Sequence, residues 1–403
     1  MVSVQPLEVG EAWPERDLTR PPRRAGRPGG HGRPGGARLR RLVGRSARPA
    51  GIFLASRLGV LAVFGAAIYG RRDSLASALS AWDARWYLAV ARSGYPHLLP
   101  AAFGDAAQST LGFFPLLPLM IRAVAALTRL SYLTSGLLVT TFAGLAAALT
   151  VWRLLADTEG RAAADRGTAL VLLSPGAFVL SMVYSEGLMI ALVAGSLLSL
   201  RRRRWLVAGA LAALASATDP LGAAAIAPCT LAAYVAVRDR REWRALLAPV
   251  VAPLGVVAFF AFLWAWTGTP LAWFVAQRHG WESGPLGSGV VSQLSYLFHH
   301  GFANVNANVK VASALVLLVL VVVASRRARP EPMLVAYVAA VLALALLAPT
   351  VGLSPRVALR AFPILGIVGA RLRRGWFEGV IGASALTMAA LAVLSLGSGA
   401  FTP

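Results

Sequence analysis

Apolar residues in this chain fall into long runs broken by short polar turns. Crossing a bilayer as a helix takes about 20 residues. The first run is 51–70, from Gly51 to Gly70. Ten more lie at 133–155, 167–183, 187–200, 205–218, 220–237, 246–266, 309–325, 333–350, 357–370 and 376–396. Several are short, and 187–200 holds only fourteen residues, which implies tilted or half-length helices. No segment of fixed period repeats. The pattern predicts an all-α polytopic membrane protein with about eleven transmembrane helices.

One further apolar stretch, Phe113-Phe-Pro-Leu-Leu-Pro-Leu-Met-Ile-Arg122, is read differently. If it crossed, the basic turns Arg201–Arg204, Arg238–Arg244, Arg326–Arg329 and Arg371–Arg374 would fall on the wrong side under the positive-inside rule. Its two prolines and its arginine fit a re-entrant or surface-lying helix buried against protein. The resulting topology puts 71–132 and 267–307 outside as the two large loops. It puts the N-terminus and the 157–166 loop inside.

Composition agrees with a membrane protein. Of 403 residues 57% are hydrophobic and 14% charged, with a mean hydropathy of +0.65. Soluble proteins carry about 25% charged residues. The net charge of +22 would suggest nucleic acid, but eleven arginines sit in the first fifty residues and most others flank apolar runs. That distribution favours attraction to anionic lipid, and no aromatics interleave the basic arm to stack bases. Residues 1–48, rich in Arg, Pro and Gly, are expected to be a disordered cytoplasmic arm, and 49–403 the membrane domain. The start is long and polar, so no signal peptide is expected. The single cysteine, Cys229, excludes an internal disulfide and a cysteine-based metal site.

Candidate chemistry concentrates in Ser80–Tyr95, where Asp83, Arg85 and Arg92 sit among Trp82, Trp86, Tyr87 and Tyr95. At helical period Trp82 pairs with Trp86, and Asp83 with Tyr87. Such an amphipathic helix would lie flat at the outer membrane surface, with Asp83 near its polar edge. Aromatic neighbours would strip water from Asp83 in part, which suits a general base acting on a lipid-bound substrate. An interfacial anchor is the alternative, since Trp, Tyr and Arg are common at that depth.

The topology also brings Tyr184-Ser-Glu186, Asp219-Pro220 and Gly352–Arg356 to the outer face. Charge at membrane depth usually faces a polar cavity. Arg85, Arg92, His97 and Arg356 suit a lipid phosphate. Arg360, a turn inside a run, is expected to pair with a carboxylate such as Glu186. Asp219 reads as a helix cap before Pro220, while Glu186 is open between capping and substrate contact. Gln277 and Trp281 in the second loop could hold a sugar by hydrogen bonding and stacking, or belong to a solvated loop. His279, Glu282, His299 and His300 match no familiar metal spacing, so no cofactor is expected, although a divalent metal remains open. There is no Gly-rich phosphate loop, serine-nucleophile motif, zincin motif or Asp-x-Asp pair; Asp157-Thr-Glu159 comes closest.

Trp82-Asp83-Ala-Arg-Trp86-Tyr87-Leu88, followed by Gly94-Tyr95-Pro96, resembles the first outer loop of the GPI mannosyltransferase II (PIG-V) family. So do Phe113-Phe-Pro, Ser174-Pro175, Val183-Tyr184-Ser185-Glu186, Pro355-Arg356 and Phe362-Pro363, in that order over about residues 55–375. Where that family usually has a Thr-Arg-Pro-like turn, this chain has Thr218-Asp219-Pro220. The resemblance implies a GT-C type glycosyltransferase fold, a polyprenyl-phosphate-sugar donor, Asp83 as base and a functional glutamine at Gln277. The reading is therefore an inverting transferase of the plasma membrane, working on its extracytoplasmic face. It moves a hexose, mannose first, to a lipid or glycan acceptor. A pentosyltransferase with the same carrier and a transporter of lipid-linked sugar are the alternatives. The sequence leaves open whether a partner subunit is needed.

Overall fold

The computed structural model describes residues 34–70, 73–100, 108–280, 291, 294–295, 298–299, 304–328, 330–348, 353–397 and 401–403. Residues 46–403 form one compact unit. All regular elements among the described residues are helical. They are α1 Pro34–Ile68, α2 Leu75–Leu79, α3 Asp83–Ser93, α4 Leu116–Thr128, α5 Tyr132–Thr158, α6 Arg161–Leu172, α7 Glu186–Arg201, α8 Trp205–Ser216 and α9 Ile226–Arg240. There follow α10 Leu247–Val251, α11 Leu254–Thr267, α12 Ala272–Gly280, α13 Val305–Ala328, α14 Pro332–Leu347, α15 Pro355–Arg360, α16 Phe362–Arg371 and α17 Arg374–Gly397. Short 3₁₀ segments at Thr110–Gly112, Pro175–Ser181, Pro220–Ala225 and Trp243–Leu246 join them.

Among the described residues six helical stretches are long and apolar enough to cross a membrane: Ala47–Ile68, Tyr132–Thr158, Pro220–Arg240, Trp243–Thr267, Val305–Arg326 and Arg374–Leu396. This is a multi-pass membrane protein. The eleven apolar runs are all helical in whole or part, and among the described residues six of the resulting helices have the length and composition of a full span. α7 and α8 have sixteen and twelve residues, about 24 and 18 Å of rise, against a hydrocarbon core of about 30 Å. Run 167–183 is broken: α6 ends at Leu172, and Pro175–Ser181 leaves it at 80°. Pro175 has no N–H to continue the ladder and disfavours helix at Ser174. Run 357–370 breaks at Ala361, ahead of Pro363. With the bent pair counted, the number of spans rises to seven. α4 is a shorter apolar helix of thirteen residues, with Pro115 just before it and Pro118 in its first turn.

α1 begins at Pro34, because Pro and Gly give way there to Ala37-Arg-Leu-Arg-Arg-Leu42, all good helix formers. Residues 1–33 lie outside the described residues, as does most of the second large loop beyond α12.

The helices pack through small residues, as membrane helices do when backbones must approach closely. One such seam joins α6 to α16. A Cβ on Gly167 would sit 2.3 Å from the Gly366 carbonyl oxygen. A second, smaller core gathers Leu111, Phe114, Phe259, Leu263, Ala272 and Ala276, and ties α11 and α12 to the turn before α4.

Polar turns collect at two ends of the bundle. α7 runs from Glu186 at one end to Arg201 at the other. Around Arg201 lie Arg202–Asp157 at 3.4 Å, Arg371–Glu159 at 2.6 Å and the Arg201–Glu331 pair. The arginine turns and the acidic 157–165 loop thus share an end.

Gly167→Ala is expected to lower stability by about 1–3 kcal/mol, because backbone would have to move to admit the methyl group. Gly65→Ala, with open space at its Cβ, should leave stability equal or slightly raised. Melting midpoints of the two purified variants in detergent test the contrast.

Candidate functional site

At the other end of α7, four separate parts of the chain meet through charge. Asp83 is the first residue of α3, where the helix dipole favours an anion. Its neighbour Trp82 is held at φ 57°, ψ −125°, a backbone region that costs a non-glycine residue about 1–3 kcal/mol. The Trp82 indole N–H donates to the Ser395 carbonyl at 2.9 Å. The Asp83 amide donates to the Tyr184 hydroxyl at 3.2 Å. The strained turn is therefore held from both sides and fixes where α3 begins.

Glu186 is likewise the first residue of α7. Asp219 caps the Pro220–Ala225 segment, its Oδ1 accepting the Leu221 amide at 2.9 Å. Ser354 caps α15, whose Arg356 and Arg360 stand four apart on one face. These two arginines join the carboxylates. Arg356 donates from Nη1 to Asp83 Oδ2 at 2.7 Å and from Nε to Glu186 Oε1 at 2.6 Å. Arg360 donates from Nη2 to the same Glu186 oxygen at 2.9 Å and to Asp219 Oδ2 at 2.6 Å. The result is an alternating row, Asp83–Arg356–Glu186–Arg360–Asp219, of three carboxylates and two guanidiniums.

Water access changes along the row. Side-chain exposure is 0% at Glu186, 6% at Asp219, 7% at Arg360, 12% at Arg356 and 26% at Asp83. The row thus opens to solvent at Asp83. Two tyrosines line it. Tyr87 donates to Ser185 Oγ at 3.0 Å, which donates on to Asp219 Oδ2 at 3.3 Å. The Arg356 guanidinium lies 4.7 Å over the Tyr184 ring. Glu186 stands at a helix start outside the candidate spans. Burial alone would push its carboxyl up, but Arg356 and Arg360 pull it below the ordinary carboxylate range. Its share of stability is therefore fully present above the ordinary pKa and is lost only as pH falls through the lowered value. Burial, then the carboxylates Asp219, Asp83 and Glu186, push Tyr87 well up, so it remains a neutral donor.

Of the residues singled out in the sequence, Asp83, Glu186 and Arg356 are in direct contact, and Trp82, Tyr87 and Tyr184 support them. Arg360 takes the ion pair expected of it. Asp219 is both the expected cap and a member of the row. Trp86 stacks on Phe113 with ring centroids 6.0 Å apart. Arg85 is exposed beside that ring and reaches Gln108 at 3.4 Å. Arg92 lies over Tyr132, and His97 stacks on Trp266 at 3.9 Å. Gln277 donates to the Gly112 carbonyl at 3.2 Å, beside Trp273. Among the described residues no hydrogen bond links it to the row. Trp281 lies outside the described residues.

Sequence reasoning missed an apolar cavity of about 480 Å³ between α3, α4 and α11. Tyr95, Pro115, Pro118, Phe259 and Trp266 line it, together with Arg122. Arg122 donates to the Ala91 and Val90 carbonyls at 2.7 and 3.3 Å, at the end of α3. The two prolines and the lone arginine of the 113–122 stretch were its signal.

The family model for glycosyltransferase family 87 matches residues 114–355. The chain belongs to glycosyltransferase family 87. Membership of a glycosyltransferase family favours sugar transfer over the transport alternative. Arg356 lies one residue past the matched range and Asp83 well before it, and the likeness to PIG-V rests on the motif residues alone. No curated protein matches the chain in sequence. In the search of solved structures, the fold is similar to ArnT from Cupriavidus metallidurans bound to undecaprenyl phosphate, with a TM-score of 0.51 and 18% identity. The match covers 82% of this family 87 chain and 62% of that one. The apo form of ArnT matches with a TM-score of 0.48 and 20% identity, over 77% and 60% of the two chains. The bound form shows the GT-C fold for this chain.

Arg360→Met is expected to cost about 3–5 kcal/mol, because it leaves Asp219 and Glu186 buried with too little positive charge. Asp83→Asn, at the wet end, should cost under about 1 kcal/mol. Folded yield and melting midpoint of the two variants in detergent measure the difference.

Proposed function

We propose that this glycosyltransferase moves a sugar from a polyprenyl-phosphate carrier to an acceptor hydroxyl, with inversion, and that Asp83 is the general base. The observation that carries the reading is the position of Asp83. It is the most exposed member of an otherwise buried charged row, and its Oδ1 makes no hydrogen bond among the described residues. That oxygen is left for an acceptor hydroxyl. As the hydroxyl oxygen attacks the anomeric carbon, its proton passes to Asp83. The bond from the anomeric carbon to the phosphate oxygen breaks, and the lipid phosphate leaves with that electron pair.

Arg356 serves the leaving group. Its Nε and Nη1 are engaged by carboxylates, while Nη2 makes no hydrogen bond among the described residues. A guanidinium aimed at a phosphate stabilises the charge that develops there. With arginines in that role, the proposed reaction needs no metal. The apolar cavity beside α3 suits a prenyl chain, and Arg122 at its wall suits the anionic end of a lipid. ArnT's bound undecaprenyl phosphate supports a carrier of this class. The PIG-V likeness makes mannose the first sugar to test, and a pentose the second. Gln277 and Trp281 are assigned to the sugar on the sequence pattern alone. The reaction is placed on the extracytoplasmic face of the plasma membrane.

Asp83→Asn should reduce transfer from radiolabelled polyprenyl-phosphate mannose by about 10²–10⁴-fold in reconstituted vesicles, with its melting midpoint unchanged. Unchanged turnover would remove Asp83 from the mechanism. Vesicles given the pentose-loaded carrier settle the sugar, and thiol labelling of a cysteine at position 83 from outside intact cells settles the face. Filling the cavity by Ala258→Phe should raise KM for a long-chain carrier about tenfold, the loss of roughly two buried methylenes. A carrier with a single isoprene unit should be little affected.

A further inference from the structure

Arg57 is a buried cation in mid-span and takes no part in the charged row. It lies in the candidate span Ala47–Ile68 and is 7% exposed. Among the described residues no carboxylate pairs with it. An unpaired arginine at membrane depth is costly, and a methionine would pack with less penalty. Its guanidinium is occupied by backbone instead. Nη2 donates to the Leu172 carbonyl at 2.7 Å, and Nη1 to the Ala177 carbonyl at 2.6 Å and Ser181 Oγ at 3.2 Å. Nε donates to Ser56 Oγ at 3.2 Å.

The two carbonyls bracket the 80° break between α6 and Pro175–Ser181. The last carbonyls of a helix lack partners within it, and Pro175 prevents continuation. Arg57 meets the need at Leu172, while Ser384 donates to the next carbonyl, Leu173, at 2.9 Å. The broken segment bears on the row in two ways. A Cβ on Gly176 would lie 2.3 Å from the Pro355 carbonyl oxygen and 2.9 Å from the Arg356 amide, so the segment's backbone is the seat of the first turn of α15. Five residues after the segment ends comes Glu186. One piece of backbone thus sets both Arg356 and the carboxylate it binds.

We propose that Arg57 is a positioning residue for the transfer reaction: by forking across the break it holds Pro175–Ser181 where α15 presents Arg356 to Glu186 and Asp83. A planar guanidinium can reach both carbonyls at once, which a lysine ammonium cannot. The catalytic part of this statement rests on the function proposed above, and the structural part does not.

Two variants test it, Arg57→Lys and Arg57→Met, each read in two ways. Hydrogen exchange by mass spectrometry should show loss of protection at 175–186 and 355–361 together, with α8 and α10 unchanged. In the transfer assay kcat should fall about a hundredfold, the effect of an ångström-scale displacement of catalytic groups, while KM for the carrier stays within a factor of three. Lysine should not rescue. Loss of protection across the whole chain in both variants, unchanged protection at 355–361, or unchanged kcat would overturn the proposal. A wild-type protein inactive on polyprenyl-phosphate sugars would defeat the proposed function, and the exchange result would still decide the clamp.

Discussion

The interaction on which the site depends is the sharing of one buried carboxylate oxygen, Glu186 Oε1, by two arginines of a single helical turn. Glu186 is fully buried, and a lone carboxylate there would be neutralised or the segment expelled. Two guanidiniums at 2.6 and 2.9 Å hold it ionised. In exchange Glu186 fixes α15, a helix of only six residues that has little stability of its own. Each arginine then has a second carboxylate to reach, Asp83 for one and Asp219 for the other. Removing the shared oxygen would leave two cations without their common anchor, so the row stands or falls as a unit.

The row is possible because its three carboxylates sit at helix beginnings. Asp83 and Glu186 are the first residues of α3 and α7, Asp219 is a cap, and Arg356 is the second residue of α15. Helix starts carry unpaired N–H groups and positive potential, which favour carboxylates. In a membrane protein such starts occur inside the protein only where helices are broken or short. Pro175, Pro220 and Pro363 supply the breaks, and α7 and α8 fall short of a full crossing. The same irregularities that reduce the number of full spans therefore create the polar end where chemistry can occur.

Much of this was legible from residue order. Apolar runs located the helices, and Pro115, Pro118 and Arg122 marked α4 as a helix that does not cross. Asp83, Glu186 and Arg356 could be named because charge is rare in so oily a chain. Hydropathy could not show which runs bend, since run length says nothing of the 80° turn at Pro175. It also could not show that Asp219 does more than cap, because its partner Arg360 lies 141 residues away. The seam at Gly167 and Gly366 and the seat at Gly176 were invisible for a similar reason. A glycine in a run of alanines and leucines looks like composition until the opposing backbone is known.

The asymmetry of the row is what makes one carboxylate of three suitable as a base. Asp219 has one oxygen on a backbone amide and the other on Arg360. Glu186 is sealed from water, and its engaged oxygen serves two guanidiniums. Glu186 Oε2 and Asp83 Oδ1 both lack a protein partner among the described residues, but only Asp83 is partly wet, with its other oxygen held by Arg356. Holding one oxygen orients the carboxylate and leaves the second to accept a proton. Arg356 can do this while also binding Glu186 because Nε and Nη1 point along different edges of a rigid plane, and Nη2 remains beyond them. A lysine there would present one centre of charge and could not orient two carboxylates along separate edges. The arrangement therefore depends on guanidinium geometry as much as on its charge.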